Sequence, residues 1–301
     1  MIKKTTVIVL HYRGVEETIG CLRSVLPQCH ATLDVLLVDN GSTDGVAEAL
    51  AAEGIVVPHL RLSDNQGWAG GNNAGIQWAR DGGADAVCLL NNDTVVPPGT
   101  FDHLADVVSR VGPCLLHPAI DFADPAEGAQ LDPVLWGGAM PVAGYSSLYA
   151  MNYAYGACLM VPVAVFDRIG VFDERFFLQL EEADLYERAL RAGISAFCDA
   201  SVRIVHAESR TFGGRITPNK TYYIARNSLL LAEKNYFNGE LVRFVLKRAY
   251  WHAAAVAAIG DKPTFAQTFR WLLSPNLHAR AIRESIHDYV FRRFGPRRHN
   301  S

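Results

Sequence analysis

The chain has 301 residues, half of them hydrophobic, and a formal net charge of −3, enough to bury a large core in one domain or in one domain with an appendage. Six cysteines stand apart, with no CxxC pair and several inside apolar runs, which argues against a disulfide scaffold and for reduced thiols in a cytoplasmic protein. The charge is uneven: residues 241–301 hold 11 Lys+Arg against 3 Asp+Glu, a basic tail on an acidic body. From the N-terminus, Met1-Ile2-Lys3-Lys4 leads directly into a strand at 5–11, too short an apolar run for a secretion signal. A helix near 16–26, a strand at 33–39 and a helix near 44–53 follow. Further strand and helix units are expected at 59–63, 71–80, 86–91 and 100–110, the βαβ rhythm of a parallel sheet. Pro113 to Gly144 breaks that rhythm with Pro, Gly, Asp and Trp136-Gly137-Gly138, and is expected to wrap the sheet edge or to approach a ligand. An apolar run at Tyr153–Val163 precedes a helix near 164–169, and Phe176–Leu185 opens a helix that Gly193 ends. A strand at 196–206 runs into a polar, lid-like stretch whose Gly213 and Gly214 are candidate hinges. Beyond Pro218 the pattern is helical, and its longest apolar window, Ala249–Gly260, is far below the roughly 20 residues of a membrane span.

Three strand ends share one design. Val7-Ile8-Val9-Leu10 discharges into His11-Tyr12, Leu36-Leu37-Val38 into Asp39-Asn40-Gly41, and Cys88-Leu89-Leu90 into Asn91-Asn92-Asp93. Asn and Asp are ordinary turn formers, so each end has a plain reading as an Asx-type turn. Three such ends in one parallel sheet also suggest a shared ligand crevice, because open α/β sheets bind ligands at the carboxyl ends of their strands. Dinucleotide binding is not indicated, since no GxGxxG follows the first strand, and the glycine-rich Asn65–Gly75 lacks the Lys-Ser/Thr of a phosphate loop. The acidic run Glu181-Glu182-Ala183-Asp184 has a structural reading, favourable charge in a first helical turn, and a catalytic one.

The ordered motifs VIVLHYR, LLVDNGSTDG, NQGWAGGNNAGI, LLNNDTVV and FDERFFLQLEEADLYERALRAG, with the later His206, resemble family 2 inverting glycosyltransferases over about residues 5–236, and among them rhamnosyltransferase-like enzymes. The resemblance implies an α/β fold of GT-A type, a mostly parallel central sheet flanked by helices with a C-terminal helical extension. It places a catalytic domain at 1–217, with a nucleotide-sugar half at about 1–112 and an acceptor half at about 113–217, and a helical region at 218–301.

By the same resemblance, Asp39 accepts the N3–H of a pyrimidine, a task a carboxylate suits, and His11 and Tyr12 line the base pocket. Asn65, Gly67, Asn72 and Asn73 sit where the family closes over ribose and diphosphate, whereas Trp68 reads as packing. Asn91-Asn92-Asp93 stands at the family's DxD position, so Asp93, with His206, is the expected ligand pair for a divalent Mg or Mn ion. Asn91 replaces the first Asp. Glu182 falls on the catalytic base position, one methylene longer than the usual Asp, with Glu181 and Asp184 as alternatives. The function implied is transfer of a sugar, rhamnose first, from a dTDP- or UDP-sugar to a hydroxyl of a glycan or lipid-linked acceptor. No nucleic-acid partner is implied, and the basic, amphipathic tail suggests an anionic membrane surface. The competing class is a catalytically silent nucleotide-sugar binding or scaffold protein; a nucleotidyltransferase would need a basic glycine-rich loop after the first strand.

Overall fold

The computed structural model describes residues 2–123, 129–131, 139–207, 217–235 and 264–298. Its first half alternates β1 (Thr5–His11), α1 (Val15–Val25), β2 (Leu33–Asp39), α2 (Val46–Ala52), β3 (His59–Arg61), α3 (Gly67–Asp81) and β4 (Ala86–Asn91). Strands β1, β2 and β4 are continuous aliphatic runs because the sheet is covered on both faces there, and almost every residue in them is buried. β1 pairs in parallel with β2 and with β4, and β2 with β3. The registers bring His11 beside Asp39 and Leu10 beside Asn91, so the three polar strand ends open on one edge.

The second half comprises β5 (Thr94–Val95), α4 (Thr100–Val111), β6 (Leu115–Phe122), β7 (Ala129–Leu131), β8 (Met140–Pro141), β9 (Leu148–Met151), β10 (Cys158–Pro162), α5 (Val163–Ile169), α6 (Glu181–Arg191) and β11 (Ala196–His206). The strand order is β3-β2-β1-β4-β10-β6-β11-β9-β8, with β5 on β11 and β7 on β6. β10 is antiparallel to β4 and β6, whereas β6 and β11 are parallel. The sheet is therefore parallel in its first half and mixed beyond β4.

Two local expectations change. Residues 115–122, expected in an irregular wrap, form a central strand. His117, Pro118 and Asp121 disguise it, and Pro118 has no N–H for a ladder. β11 shifts register at that point, passing from Asp199↔Pro118 to Arg203↔Ala119 with three residues looped out. The second change is the start of α6. Phe176–Leu180 precede the helix instead of opening it, with Phe177, Gln179 and Leu180 at φ 63°, 72° and 70°.

Three further helices complete the described chain: α7 (Pro218–Asn235), α8 (Phe265–Leu272) and α9 (Leu277–Val290). Phe177 packs with Tyr222, Tyr223 and Ala281, and Phe176 and Leu180 pack with Leu230, so α7 and α9 lie against the approach to α6. Among the described residues no helix is long and apolar enough to cross a membrane. All six cysteines are free thiols, five of them buried. The glycine hinge pair at 213–214, the Trp136 triplet and the amphipathic run at 241–248 lie outside the described residues.

Candidate active site

The end of β2 splits Asp39 into two roles. Its Oδ1 accepts the Ser42 backbone N–H at 2.7 Å, the Asx turn anticipated from Asp-Asn-Gly. Its Oδ2 is buried with no hydrogen-bond partner, 3.5 Å from Arg61 Nη1 and 3.8 Å from His59 Nε2. A buried carboxylate oxygen left without a donor is poised to take one from a ligand. Tyr12, Arg13, Gly14, Val15, Glu16, Thr43 and Asp44, but not the fully buried Asp39, line an open cleft of about 620 Å³. His11 is not on its wall. The ring is fully buried beneath it, with Nδ1 2.7 Å from Thr18 Oγ1 and Nε2 3.0 Å from Asp44 Oδ1, so it orients Asp44 instead of facing a base.

At the end of β4 the antiparallel pairing of β5 with β11 sets Thr94 opposite His206. That register brings Asp93 Oδ1 within 3.0 Å of His206 Nε2, and both side chains are nearly buried. The Asp93 carboxylate is the oxygen ligand that Mg²⁺ and Mn²⁺ prefer, the imidazole suits the softer Mn²⁺ better than Mg²⁺, and neighbouring ligands on an octahedral ion with bonds of about 2.1 Å lie about 3.0 Å apart. No group of three or more His, Cys, Asp and Glu suited to a metal exists among the described residues. A cation here fits the Mg-type arrangement, in which one or two protein ligands are joined by substrate phosphates and water. Asn91 contributes no free carbonyl oxygen: its Oδ1 accepts Trp68 Nε1–H at 2.9 Å, and its Nδ2 lies 3.4 Å from His206 Nε2.

The three acidic residues at the start of α6 sit in three different surroundings. Asp184 is fully buried and spent, with Oδ2 bound to Arg188 Nε and Lys234 Nζ at 2.9 Å each. Glu181 is buried, and its Oε2 has no hydrogen-bond partner. Burial, reinforced by the neighbouring Glu182 charge, pushes its carboxyl well above the ordinary range. Glu182 is only partly buried. Burial raises its carboxyl to about 7, checked by backbone N–H groups, that of Gly156 among them, and by the Tyr153 hydroxyl 3.4 Å from Oε2. Gly156 is required by contact, since a Cβ there would strike Glu182 Oε1 and the Trp68 ring. One indole thus spans the site, touching Glu182's neighbourhood with its ring and bonding Asn91 with its N–H.

Residues 6–133 match the family described as Glycosyl transferase family 2. A Mycobacterium tuberculosis protein, N-acetylglucosaminyl-diphospho-decaprenol L-rhamnosyltransferase, is 29% identical over 212 residues, covering 60% of this chain and 68% of that one. Residues 6–133 thus have the sequence of a family 2 glycosyltransferase domain. A dTDP-rhamnosyl transferase RfbF from Shigella flexneri is 24% identical over 213 residues, 67% of this chain and 71% of its own. Among solved structures, the mannosyltransferase PcManGT from Pyrobaculum calidifontis, in complex with GDP-Man and Mn2+, superposes with a TM-score of 0.60 at 15% identity, covering 97% of this chain and 88% of that one. The glycosyltransferase therefore has the GT-A fold, and its sequence is rhamnosyltransferase-like.

Within this glycosyltransferase several residues expected at the donor are committed to the protein. Asn65 Oδ1 accepts Gly67 N–H at 2.8 Å and Asn40 Nδ2–H at 3.1 Å, closing the turn into α3. Gly67 adopts φ +73°, and a side chain there would collide with the Phe177 carbonyl. Asn73 binds Phe172 through both ends of its amide, at 2.9 and 3.0 Å. Asn92 donates to Arg13 O at 2.9 Å and to Thr18 Oγ1 at 2.8 Å, fixing the loop after β1. Asn72 donates to Trp68 O, but its Oδ1 is buried without a partner. Asn65, Asn73 and Asn92 shape the crevice, while Asp39, Asn72, Asp93 and Glu182 retain reactive or unsatisfied oxygens. Trp68, Tyr153 and Gly156 were not legible as site residues, since their partners are 23 to 88 positions away in the chain.

Proposed function

We propose that this glycosyltransferase moves a sugar, rhamnose first, from a dTDP- or UDP-sugar to a hydroxyl of a lipid-linked glycan, with inversion. The observation that carries the reading is Glu182: a carboxyl raised to about 7 beside Trp68, whose indole reaches the Asn91, Asp93 and His206 cluster. A base poised near neutral pH next to a diphosphate site is what an inverting transfer needs. Asp39 Oδ2 accepts the pyrimidine N–H, and Tyr12 and Arg13 wall the base cleft. Asp93 and His206 would hold a divalent cation, whose charge would offset that of the departing diphosphate. Glu182 takes the acceptor proton as the hydroxyl attacks the anomeric carbon from the face opposite the diphosphate. The acceptor class follows from similarity to the decaprenol-linked rhamnosyltransferase.

In this reading residues 1–112 hold the donor, 113–217 the acceptor, and 218–301 form a C-terminal helical region that meets the membrane. The test is release of nucleoside diphosphate from dTDP-rhamnose and a panel of UDP-sugars, with a polyprenyl-diphospho-N-acetylglucosamine acceptor, with and without Mn²⁺. Acceptor-dependent, Mn²⁺-stimulated release from dTDP-rhamnose is expected. Binding without turnover on every donor would instead identify a nucleotide-sugar binding protein.

A further inference from the structure

The backbone before α6 is held in a form that L-residues avoid. Phe177, Gln179 and Leu180 all lie in the left-handed region, at φ 63°, 72° and 70°, where non-glycine residues persist only if their surroundings hold them. The holder is identifiable. Asn227 Nδ2 lies 2.8, 2.7 and 2.7 Å from the carbonyls of Phe176, Leu178 and Gln179, its two hydrogens shared among the three. Arg226 Nη2 donates to the carbonyls of Arg175 and Phe176 at 3.1 and 2.9 Å, and its Nε to Asn227 Oδ1 at 3.0 Å. From the other side, the backbone N–H of Trp68 donates to the Phe177 carbonyl at 2.7 Å. Five consecutive carbonyls, 175 to 179, are thereby captured, and the next, Leu180 O, accepts the Asp184 N–H as the first turn of α6 forms.

Arg226 is fully buried, its guanidinium over the rings of Tyr222, Tyr223 and Phe294, and its Nη1 donates to the Gly295 carbonyl. The pair on α7 is therefore fixed by the C-terminal helical region and acts on a segment ending two residues before Glu182. Resting on the reading of Glu182 as the base, we propose that Arg226 and Asn227 are positioning residues: they lock the segment Phe177–Leu180, with its left-handed Phe177, Gln179 and Leu180, and so set the distance of the Glu182 carboxylate from the donor loop at Trp68.

A role confined to stability would lower the melting temperature and leave turnover of the folded protein alone. Positioning predicts a kcat effect, since a misplacement near 1 Å costs on the order of 10²-fold. Asn227→Ala and Arg226→Lys, assayed with dTDP-rhamnose and the polyprenyl-diphospho-sugar at temperatures where circular dichroism shows both folded, should lose about tenfold or more in kcat, with donor affinity by calorimetry within about twofold. Arg226→Lys keeps the buried charge and decides the matter if Asn227→Ala fails to fold. Because the loss acts through Glu182, adding Asn227→Ala to Glu182→Gln should cost nothing further. Wild-type turnover in the folded clamp variants, with Glu182→Gln inactive, overturns the positioning role alone, as does a loss that multiplies in the double variant. Wild-type turnover in Glu182→Gln overturns the base assignment, and the positioning role with it.

Discussion

Three carboxylates within four residues meet three different fates, and environment alone separates them. Asp184 is neutralised by Arg188 and Lys234 and serves as structure. Glu181 is buried with an unpartnered oxygen, and burial with the neighbouring Glu182 charge pushes its carboxyl well above the ordinary range. In the proposed mechanism Glu182, raised from an ordinary 4.5 to about 7, is the group that exchanges a proton with the substrate near neutral pH. Turnover should accordingly rise with pH along a limb centred near 7, and Glu182→Gln should lower kcat by about 10² or more while donor binding persists. Near-normal turnover in that variant would return the role to Glu181. Stability carries the opposite sign. A carboxyl raised in the folded state contributes stability that is complete below pH 4.5 and lost as the pH climbs through 7. Glu182→Gln should therefore melt higher than the wild-type protein at pH 8, by about 1–3 kcal/mol of unfolding free energy, and show little difference near pH 4. Equal melting at both values would show that burial does not hold the proton.

Among the elements, what was legible in the sequence is what repeats locally. β1, β2 and β4 announce themselves as unbroken aliphatic runs, and their polar ends follow directly. β6 was not legible, because Pro118 and flanking polar residues mimic a loop while its place in the centre of the sheet comes from β10 and β11, whose paired residues are 44 or more positions away. Nor was the left-handed lead into α6, whose sequence Phe-Phe-Leu-Gln-Leu favours a helix until Asn227 and Arg226 claim its carbonyls. The donor residues show the same limit: composition marks Asn65, Asn73 and Asn92 as polar groups near a crevice, and only the fold shows their amides turned inward. The pairing of β5 with β11 is the element-scale device that matters most, since it alone brings Asp93 and His206 together. Asp93→Ala should abolish the Mn²⁺-dependent part of dTDP-rhamnose binding measured by calorimetry, and His206→Ala should weaken it by about tenfold, the range seen when metal-site side chains are lost. Unchanged affinity with Mn²⁺ in the Asp93 variant would dismiss the cation site.

At the scale of the whole molecule, the C-terminal helices do two things with two faces. Their inner face braces the approach to α6 through Tyr222, Tyr223, Leu230 and Ala281. Their outer face is apolar and basic. Phe269, Leu273, Leu277, Ile286, Val290 and Phe291 are 46% to 64% exposed, while residues 264–298 hold seven arginines against Glu284 and Asp288. Part of that charge is answered internally, since Arg280 and Arg297 bind Glu284 and Arg292 binds Glu233. The remaining excess is still positive, and basic groups near an anionic surface contribute about 1 kcal/mol each, with exposed apolar side chains inserting shallowly beside them. A lipid-linked acceptor would then be met at the membrane by a protein none of whose described helices crosses it. Deleting the tail is a poor test, because α9 packs on α7 and its loss would disturb the segment before Glu182. Point changes are sharper. Full-length protein should sediment with vesicles of phosphatidylglycerol at low salt and be released at high salt, as screening requires. Val290→Ser with Phe291→Ser should weaken that binding, and Arg293→Glu with Arg298→Glu should abolish it without slowing turnover on a short, water-soluble acceptor. If the unaltered protein ignores anionic vesicles at low salt, the outer face of these helices serves contact between proteins and not contact with lipid.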